Sequence, residues 1–426
     1  MNILVITKSA WDDKIAVGNT LSNLFDGWPD TVFYNIYCRD AKPNNTCCKN
    51  YYSVSPLNIV KNTLTPWRVG NQFVASAEIG KDSVIKNTTE QSLTNISRGN
   101  NLIYSVYDAV YSTKTWLNKK LRNYLNGVKP DVVFCFGIPD AFNYYLVKYI
   151  KSHFSCPIIV YFMDDVFGVK NSRWNFLGKV NRRRLFKLAE IADKRYAISQ
   201  LMCDEYSYNI GKDFDLLYKG CEISRVTPKG NNPIRLTYAG NLFYHRDCIL
   251  AQLAEAIFEI NKDTPYKAHL DIYTGTPVND TKEKQLSIEG TSTLHPAKSF
   301  VEIKKIMTAS DIVLHVESFD ETEKKTVRLS FSTKITDCLQ SGAMVMAIGP
   351  NDIASIDFLT HVPGAVVVDN LNNLKSTLNR LLLNPEEIEK RAKETNSYAN
   401  NNMTIEKVRK RLQNDFISIS RQKDHR

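Results

Sequence analysis

The sequence predicts an α/β protein of two doubly wound, Rossmann-like domains, and three observations carry that prediction. At 426 residues the chain is longer than one hydrophobic core supports. Continuous apolar runs of strand length alternate with stretches of helical spacing, the pattern of parallel strands covered on both faces. The alternation then starts afresh after TPKGNNP at 227–233. Residues 1–226 are therefore read as an N-terminal domain, 227–402 as a C-terminal one and 403–426 as a last helix. Ligands of such sheets bind beyond the carboxyl ends of the strands, and here two sets of ends are expected to face each other across a cleft.

The elements follow in order. ILVIT (3–7) is a strand, VGNTLSNLF a helix with small residues at its start, and TVFYNIYC (31–38) a second strand. Residues 80–100 are polar and patternless, and read as a long mobile loop. NLIYSVYDAVYSTKTWLNKKLRNYL is a helix, PDVVFCFG a strand, IPDAFNYYLVKYIKSH a helix and CPIIVYFMDD a strand ending in acids. RRRLFKLAEIA is helical and RYAIS a short strand. In the second half the strands are IRLTYAG, AHLDIYTG, DIVLHVE, AMVMAIG and GAVVVD. They are separated or followed by helices in CILAQLAEAIFEINK, SFVEIKKIMTAS, TKITDCLQSG, LNNLKSTLNRLLL, PEEIEKRAKETNSYA and TIEKVRKRLQNDFIS.

Bulk properties exclude several classes. With 43% hydrophobic and 23% charged residues the chain is not disordered throughout. Nine scattered cysteines without a CxxC pair fit free thiols in a reducing compartment. MNILVIT has no basic leader and runs straight into a strand, and no stretch approaches the roughly 20 apolar residues of a membrane span, so a cytoplasmic protein is expected. The net charge of +10 points to an anionic partner. The basic residues are mostly dispersed, without aromatic interleaving, so nucleic acid is not expected. One cluster, Lys179, Arg182, Arg183, Arg184 and Lys187, contains no acid; it is either a solvated helix face or a contact to an anionic membrane surface, the latter making the protein peripheral on the inner face of the cell membrane. Seven histidines lack metal-ligand spacing, and neither GxGxxG, GxSxG nor GK[ST] occurs, so no metal and no cofactor is expected.

Four segments can carry chemistry. In RLSFSTKITDCLQSGAMVMAIGP (328–350), Ser332 and Thr333 open a helix whose free N–H groups and dipole favour an anion. Lys334 adds a charge, and Asp337, one turn on, can accept hydrogen bonds from a ribose diol. The alternative is a capped amphipathic helix with a solvated lysine. In LTYAGNLFYHRD (236–247) a strand ends at Gly240 and Asn241. Arg246 follows, either neutralising a departing diphosphate or merely paired with Asp247 or solvated. Gly18, with Asn19 and Thr20, stands at a helix start and either admits a ligand's close approach or makes a turn. Asp164 and Asp165 end a strand, and either one orients or deprotonates an acceptor hydroxyl or they cap the next segment.

Taken in order over nearly the whole chain, VGNTLSNLF, PDVVFCFG, YFMDD, RYAISQLMCDEY, YAGNL, ASDIVLHVES and FSTKITDCLQSGAMVMAIG resemble the retaining family-4 glycosyltransferases of GT-B fold, of bacterial surface-polysaccharide type. The resemblance implies donor-diphosphate contacts at Arg246 and at Ser332, Thr333 and Lys334. It places the second acid of the family's Glu-x7-Glu motif, the ribose ligand, on Asp337. The first Glu falls on Leu329, where this chain departs from the pattern, with Arg328 and Ser330 as polar substitutes beside it. Base contacts would come from Gly275 and the stretch from His295 to Lys298, with Gly240 and Asn241 at the donor's edge. The family's N-domain histidine has no counterpart beyond Asp164 or Asp165, and the last helix is expected to return to the N-terminal domain.

The function so implied is a retaining, hexosyltransferase-type transfer from a nucleotide diphosphate sugar to a glycan or lipid-linked acceptor. Lys334 and Arg246 serve as charge-neutralising groups, Asp165 as the group nearest the acceptor, and no metal is needed. Two alternatives stay open: a GT-B nucleotide-sugar epimerase or hydrolase, and a catalytically inactive nucleotide-sugar-binding scaffold.

Overall fold

The computed structural model describes residues 1–39, 41–75, 101–167, 176–224, 226, 231–332 and 334–421. They form two compact α/β units. The first holds Met1–Ile198, Cys203–Leu217 and the chain from Arg409 onward, and the second holds Ser199–Met202 and Tyr218–Val408.

In the first unit β1 (Asn2–Thr7), β2 (Val32–Tyr37), β3 (Asn50–Ser53), β4 (Asn71–Val74), β5 (Val132–Phe136), β6 (Ile158–Phe162), β7 (Lys194–Ala197) and β8 (Asp215–Leu216) form one sheet. Its order is β4-β3-β2-β1-β5-β6-β7-β8, parallel except for the antiparallel β3–β4 edge pair. Every residue of VVFCF in β5 and IIVYF in β6 is buried, as continuous apolar strands between helix layers require. The helix Ile405–Arg421 seals one face: Phe416 packs edge-on against Phe25 at 5.7 Å and Trp28 at 5.2 Å. On the same helix the Arg409 guanidinium donates to the carbonyls of Ser22 and Asn23.

Sequence and structure differ at several elements. The single helix expected over NLIYSVYDAVYSTKTWLNKKLRNYL is two, Asn101–Ser112 and Lys119–Val128. Lys114 takes a left-handed φ of 60°, and the indole of fully buried Trp116 folds back to donate to the Tyr111 carbonyl. Asn118 then caps the second helix by accepting from Leu121 N–H. The expected loop at 80–100 and residues 227–230 of the restart segment lie outside the described residues.

The basic cluster on the helix Phe176–Ile191 is also not one face. Lys179, Arg182, Arg183 and Lys187 are exposed, but Arg184 is buried. Its guanidinium meets the Asp108 carboxylate at 2.6 Å and Ser112 Oγ at 2.9 Å, and lies over the Tyr145 ring. Arg184 thus ties this helix to Asn101–Ser112 and is withdrawn from any membrane contact.

The second unit has β9 (Ile234–Ala239), β10 (Ala268–Thr274), β11 (Ser292–Pro296), β12 (Ile312–Val316), β13 (Met344–Ile348) and β14 (Val366–Val368). They are ordered β11-β10-β9-β12-β13-β14 and all parallel. Leu236, Leu270, Leu314 and Met346 from the strands meet Leu253 and Ile257 of the helix Arg246–Asp263 in its core. The sequence reading missed β11 and the seven-residue helices Asp280–Leu286, Glu321–Val327 and Ala354–Thr360. Two turns are too few to display a period of 3.6. None of the nine cysteines is in a disulfide. Among the described residues no helix is long and apolar enough to cross a membrane.

Candidate functional site

The second sheet reverses direction of growth between β9 and β12. Loops leaving the carboxyl ends of these neighbours diverge to opposite faces, which opens a crevice at such a switch point. Four polar residues converge there: Asn241 from the loop after β9, Arg246 at the start of the following helix, Glu317 just beyond β12, and Lys334 at the start of the helix Lys334–Gln340.

Arg246 is a fixed group. It is 7% exposed, its Nε donates to the Val316 carbonyl at 2.9 Å, and Nη1 donates to Asn241 Oδ1 at 2.6 Å. Nη2 forms an ion pair with Glu317 Oε2 at 2.6 Å. The partner expected from sequence, Asp247, instead pairs with Lys282. Glu317 is itself buried, so the pair is held by charge-assisted hydrogen bonds inside the protein. His315, on β12, is 2% exposed; its Nε2 lies 3.4 Å from Glu317 Oε1 and has no hydrogen-bond partner among the described residues. Burial, with help from Lys334 and Arg246, pushes its pKa down to about 4, so it is neutral at physiological pH.

Lys334 is the second cation. Its ammonium stands 5.4 Å over the Tyr238 ring and against the bare Cα of Gly240. A Cβ at Gly240 would overlap that ammonium, which explains a glycine at the end of β9. Among the described residues Nζ has no carboxylate or carbonyl to donate to. Burial, and then the Arg246 charge, lowers its pKa from 10.5 to about 8. A desolvated cation with no ion pair among the described residues, its field only partly offset by Glu317 and Asp337, beside a second, fixed cation is an anion-binding arrangement.

Of the remaining C-terminal candidates, Asp337 and Ser332 lie beside Lys334. Asp337, one turn beyond Lys334, is half-buried; burial raises its carboxyl pKa, opposed by Lys219, Lys334 and Lys304. Lys219, which sequence reasoning did not single out, is depressed by burial and faces Asp337. Ser332 Oγ accepts from the Lys334 backbone N–H at 3.3 Å, so it caps the short helix. Thr333 lies outside the described residues. Leu329, at the position of the missing acid, is fully buried with its carbonyl bonded to Ser199 Oγ. Arg328 and Ser330 beside it are half-buried, and the Arg328 carbonyl accepts from Ala354 N–H at 2.7 Å. Gly275 is exposed after β10, and its neighbour Thr276 accepts from Leu242 N–H at 3.0 Å, which ties that loop to the one carrying Gly240 and Asn241. Lys298 is exposed beyond β11. Nearby His295 stacks on Tyr273 and bonds Asp271 at 2.7 Å.

The first-unit candidates read differently from expectation. Gly18 is buried in the helix Ala16–Phe25, and a Cβ there would overlap the backbone of Asp12. The close approach is made by the protein's own chain, so Gly18 is withdrawn as a ligand contact. Asn19 is exposed and its N–H donates to the Ile15 carbonyl. After β6 the two acids point apart. Asp164 is exposed, while Asp165 is buried and accepts from the Tyr206 hydroxyl at 3.0 Å. That hydroxyl also accepts from Val166 N–H, so Asp165 fixes the strand end and is withdrawn as a proton-handling group.

Sequence reasoning missed Glu317 and His315. The available signal was an acid closing an otherwise apolar buried strand in DIVLHVES, since a buried carboxylate needs a cationic partner.

No protein-family model matches the sequence, and no curated protein matches it. Solved structures match along almost its full length. The Anabaena protein HepE in complex with UDP aligns at TM-score 0.64 and 12% identity, covering 98% of this chain and 100% of that one. A trehalose-6-phosphate protein of E. coli bound with UDP-2-fluoro glucose aligns at 0.58 and 10%, covering 97% and 98%. Sucrose-phosphate synthase from Thermosynechococcus elongatus aligns at 0.57 and 10%, covering 98% of each chain. The two parallel-sheet units, in this order and over this length, give the chain the fold of the GT-B glycosyltransferases.

Proposed function

We propose that this chain is a retaining glycosyltransferase. It moves a hexosyl group from a nucleoside diphosphate sugar onto a hydroxyl of a glycan or lipid-linked oligosaccharide during polysaccharide assembly. The observation that carries the reading is the Lys334 ammonium, desolvated and with no hydrogen-bond acceptor among the described residues, beside the fixed Arg246 guanidinium at the switch point of the second sheet. A diphosphate supplies the negative charge this corner lacks. Ser332, which caps the Lys334 helix, and Thr333 are read as further diphosphate contacts, and Asp337 with Lys219 as the groups that read a ribose.

In the transfer the C1–O bond of the donor breaks and its electron pair leaves with the diphosphate. Lys334 meets that growing charge, with Arg246 fixed behind it by Glu317. The acceptor oxygen bonds to C1 from the same face while its proton passes to the departing diphosphate oxygen, and Asp164, the exposed acid of its pair on the first unit, is the side chain proposed to bind the acceptor. Because two side-chain cations neutralise the leaving group, a chelator is expected to leave the rate unchanged.

UDP-sugars are the first donors to test, because HepE and the E. coli protein were solved with UDP and UDP-2-fluoro glucose. Product formation with and without added acceptors is measured for the unmodified chain and for Lys334→Ala. The expected loss is roughly 100-fold, the scale of removing one charge-stabilising group. Turnover within a few-fold of the unmodified chain rejects the role of Lys334. Donor epimerised or hydrolysed without acceptor moves the chain to the epimerase class, and donor binding without turnover makes it a binding protein.

A further inference from the structure

The geometry points to a membrane-docking tip on the first unit, centred on Leu64 and Trp67, that seats on an anionic lipid surface. Leu57 is 61% exposed, Val60 57%, Leu64 91% and Trp67 61%. Single exposed apolar residues are ordinary, but here four fall within one short stretch, from the helix Pro56–Lys61 to the 3-10 turn Pro66–Arg68.

The backbone beneath them is tied down. Asn118 Nδ2 donates to the carbonyls of Pro66 at 2.8 Å and Val69 at 3.0 Å. Gly70 N–H donates to Asn58 Oδ1 at 3.1 Å, and the Lys120 ammonium donates to the Gly70 carbonyl. Ser55 caps the helix, and Val69 is buried below the turn. Leu64 and Trp67 are therefore held out in water by a hydrogen-bonded scaffold, so docking has little ordering cost.

The rim supplies the choice of partner. No acid occurs between Asp40 and Glu78, while Lys42, Lys49, Lys61 and Arg68 do. The helix Lys119–Val128, to which the tip is bonded, contributes exposed Lys119, Lys120 and Arg122, and no acid lies between Asp108 and Asp131. A tryptophan and leucines within an acid-free cationic rim match an anionic bilayer interface, where the indole sits at headgroup level and the cations meet phosphate. The exposed Lys179, Arg182, Arg183 and Lys187 of the helix Phe176–Ile191 attract an anionic surface too, but no described side chain of that helix is both apolar and exposed. Insertion is therefore assigned to the tip. The assignment does not depend on the sugar-transfer reading.

The full chain is sedimented with extruded vesicles of phosphatidylcholine alone or mixed with phosphatidylglycerol, at low and high salt. Binding is expected only with the anionic lipid and weakens with salt. Leu64→Glu and Trp67→Glu each reduce partitioning roughly tenfold or more without changing the melting curve, since both positions are exposed. Brominated acyl chains quench the unmodified chain but not Trp67→Phe. Three results overturn the proposal. They are no binding to anionic vesicles, equal binding by both Glu variants, and a Trp67-dependent self-association or protein contact with no affinity for vesicles.

Discussion

The depressed lysine makes a quantitative prediction about pH. With a pKa of about 8, Lys334 is about nine-tenths protonated at pH 7, half at pH 8 and about one-tenth at pH 9. Only the ammonium form attracts a diphosphate. The affinity for UDP is therefore expected to hold up to about pH 7, to fall about twofold at pH 8 and about tenfold at pH 9. His315 with a pKa of about 4 stays neutral across this range, and the terminal phosphate of UDP is fully ionised above its own pKa of about 6. Binding near pH 8 should also take up a proton, seen by calorimetry as a dependence of the apparent enthalpy on the ionisation enthalpy of the buffer.

Lys334→Met should bind UDP weakly at every pH and lose the slope. A flat dissociation constant for the unmodified chain from pH 7 to 9, or an unchanged slope in Lys334→Met, refutes the assignment. The same shift has the opposite sign for folding. The folded chain sheds this proton near pH 8 and the unfolded chain near 10.5, so the stability of the ligand-free protein gains as pH climbs through that window.

Three further outcomes follow from the site. Glu317→Ala leaves the buried Arg246 charge without its counter-ion and should cost about 3–5 kcal/mol, lowering the melting temperature by about 6–20 °C. Glu317→Gln, which keeps an acceptor for Nη2, should cost less, and a loss under about 1 kcal/mol for the alanine variant contradicts the buried pair. Gly240→Ala puts a Cβ where the Lys334 ammonium stands; the flexible end of the lysine moves, so melting should hardly change while UDP affinity falls about tenfold, and unchanged affinity in calorimetry would reject that placement. Asp165→Ala should cost about 1–3 kcal/mol by leaving the buried Tyr206 hydroxyl without its acceptor, whereas Asp164→Asn should spare stability and lower turnover. The reverse pattern, read from melting curves and initial rates, refutes their separation.

The two-unit architecture was legible because parallel strands write themselves as uninterrupted apolar runs. VVFCF, IIVYF and IVLHV needed no spatial information to be recognised. Local chemistry was legible too, in a lysine at a helix start and an arginine after a strand-end glycine. Partners were not. Glu317 meets Arg246 because β12 lies beside β9 while β10 and β11 lie on the other side, an order that residue spacing does not encode. Gly18 illustrates the same limit: its sequence context announced a close approach, and only the fold revealed that Asp12 makes it. Alternation on an extended chain separates Asp164 from Asp165, but which of them turns inward depends on where Tyr206 stands. The broken helix at Lys114 was missed because Trp116 returns to the core through a contact with Tyr111, within a sequence whose helical spacing is otherwise continuous.

The division of labour between the two cations has a physical logic. A guanidinium cannot release its proton, so burying it demands a permanent counter-ion, which Glu317 provides, and the bidentate fork then fixes its orientation through Val316 and Asn241. A second buried guanidinium at position 334 would need a second buried acid, and that acid would repel the diphosphate. A lysine avoids the conflict. While the site is empty, the depressed pKa lets part of the population go neutral, which limits the cost of desolvating it. When an anion arrives, the proton returns and the attraction acts at full charge in a poorly solvated corner. Lys334→Arg should therefore not behave as a conservative change. The charge is kept, but the bulkier, permanently ionised group beside Arg246 has no room at Gly240, so donor affinity is expected to fall even though the net charge is unchanged.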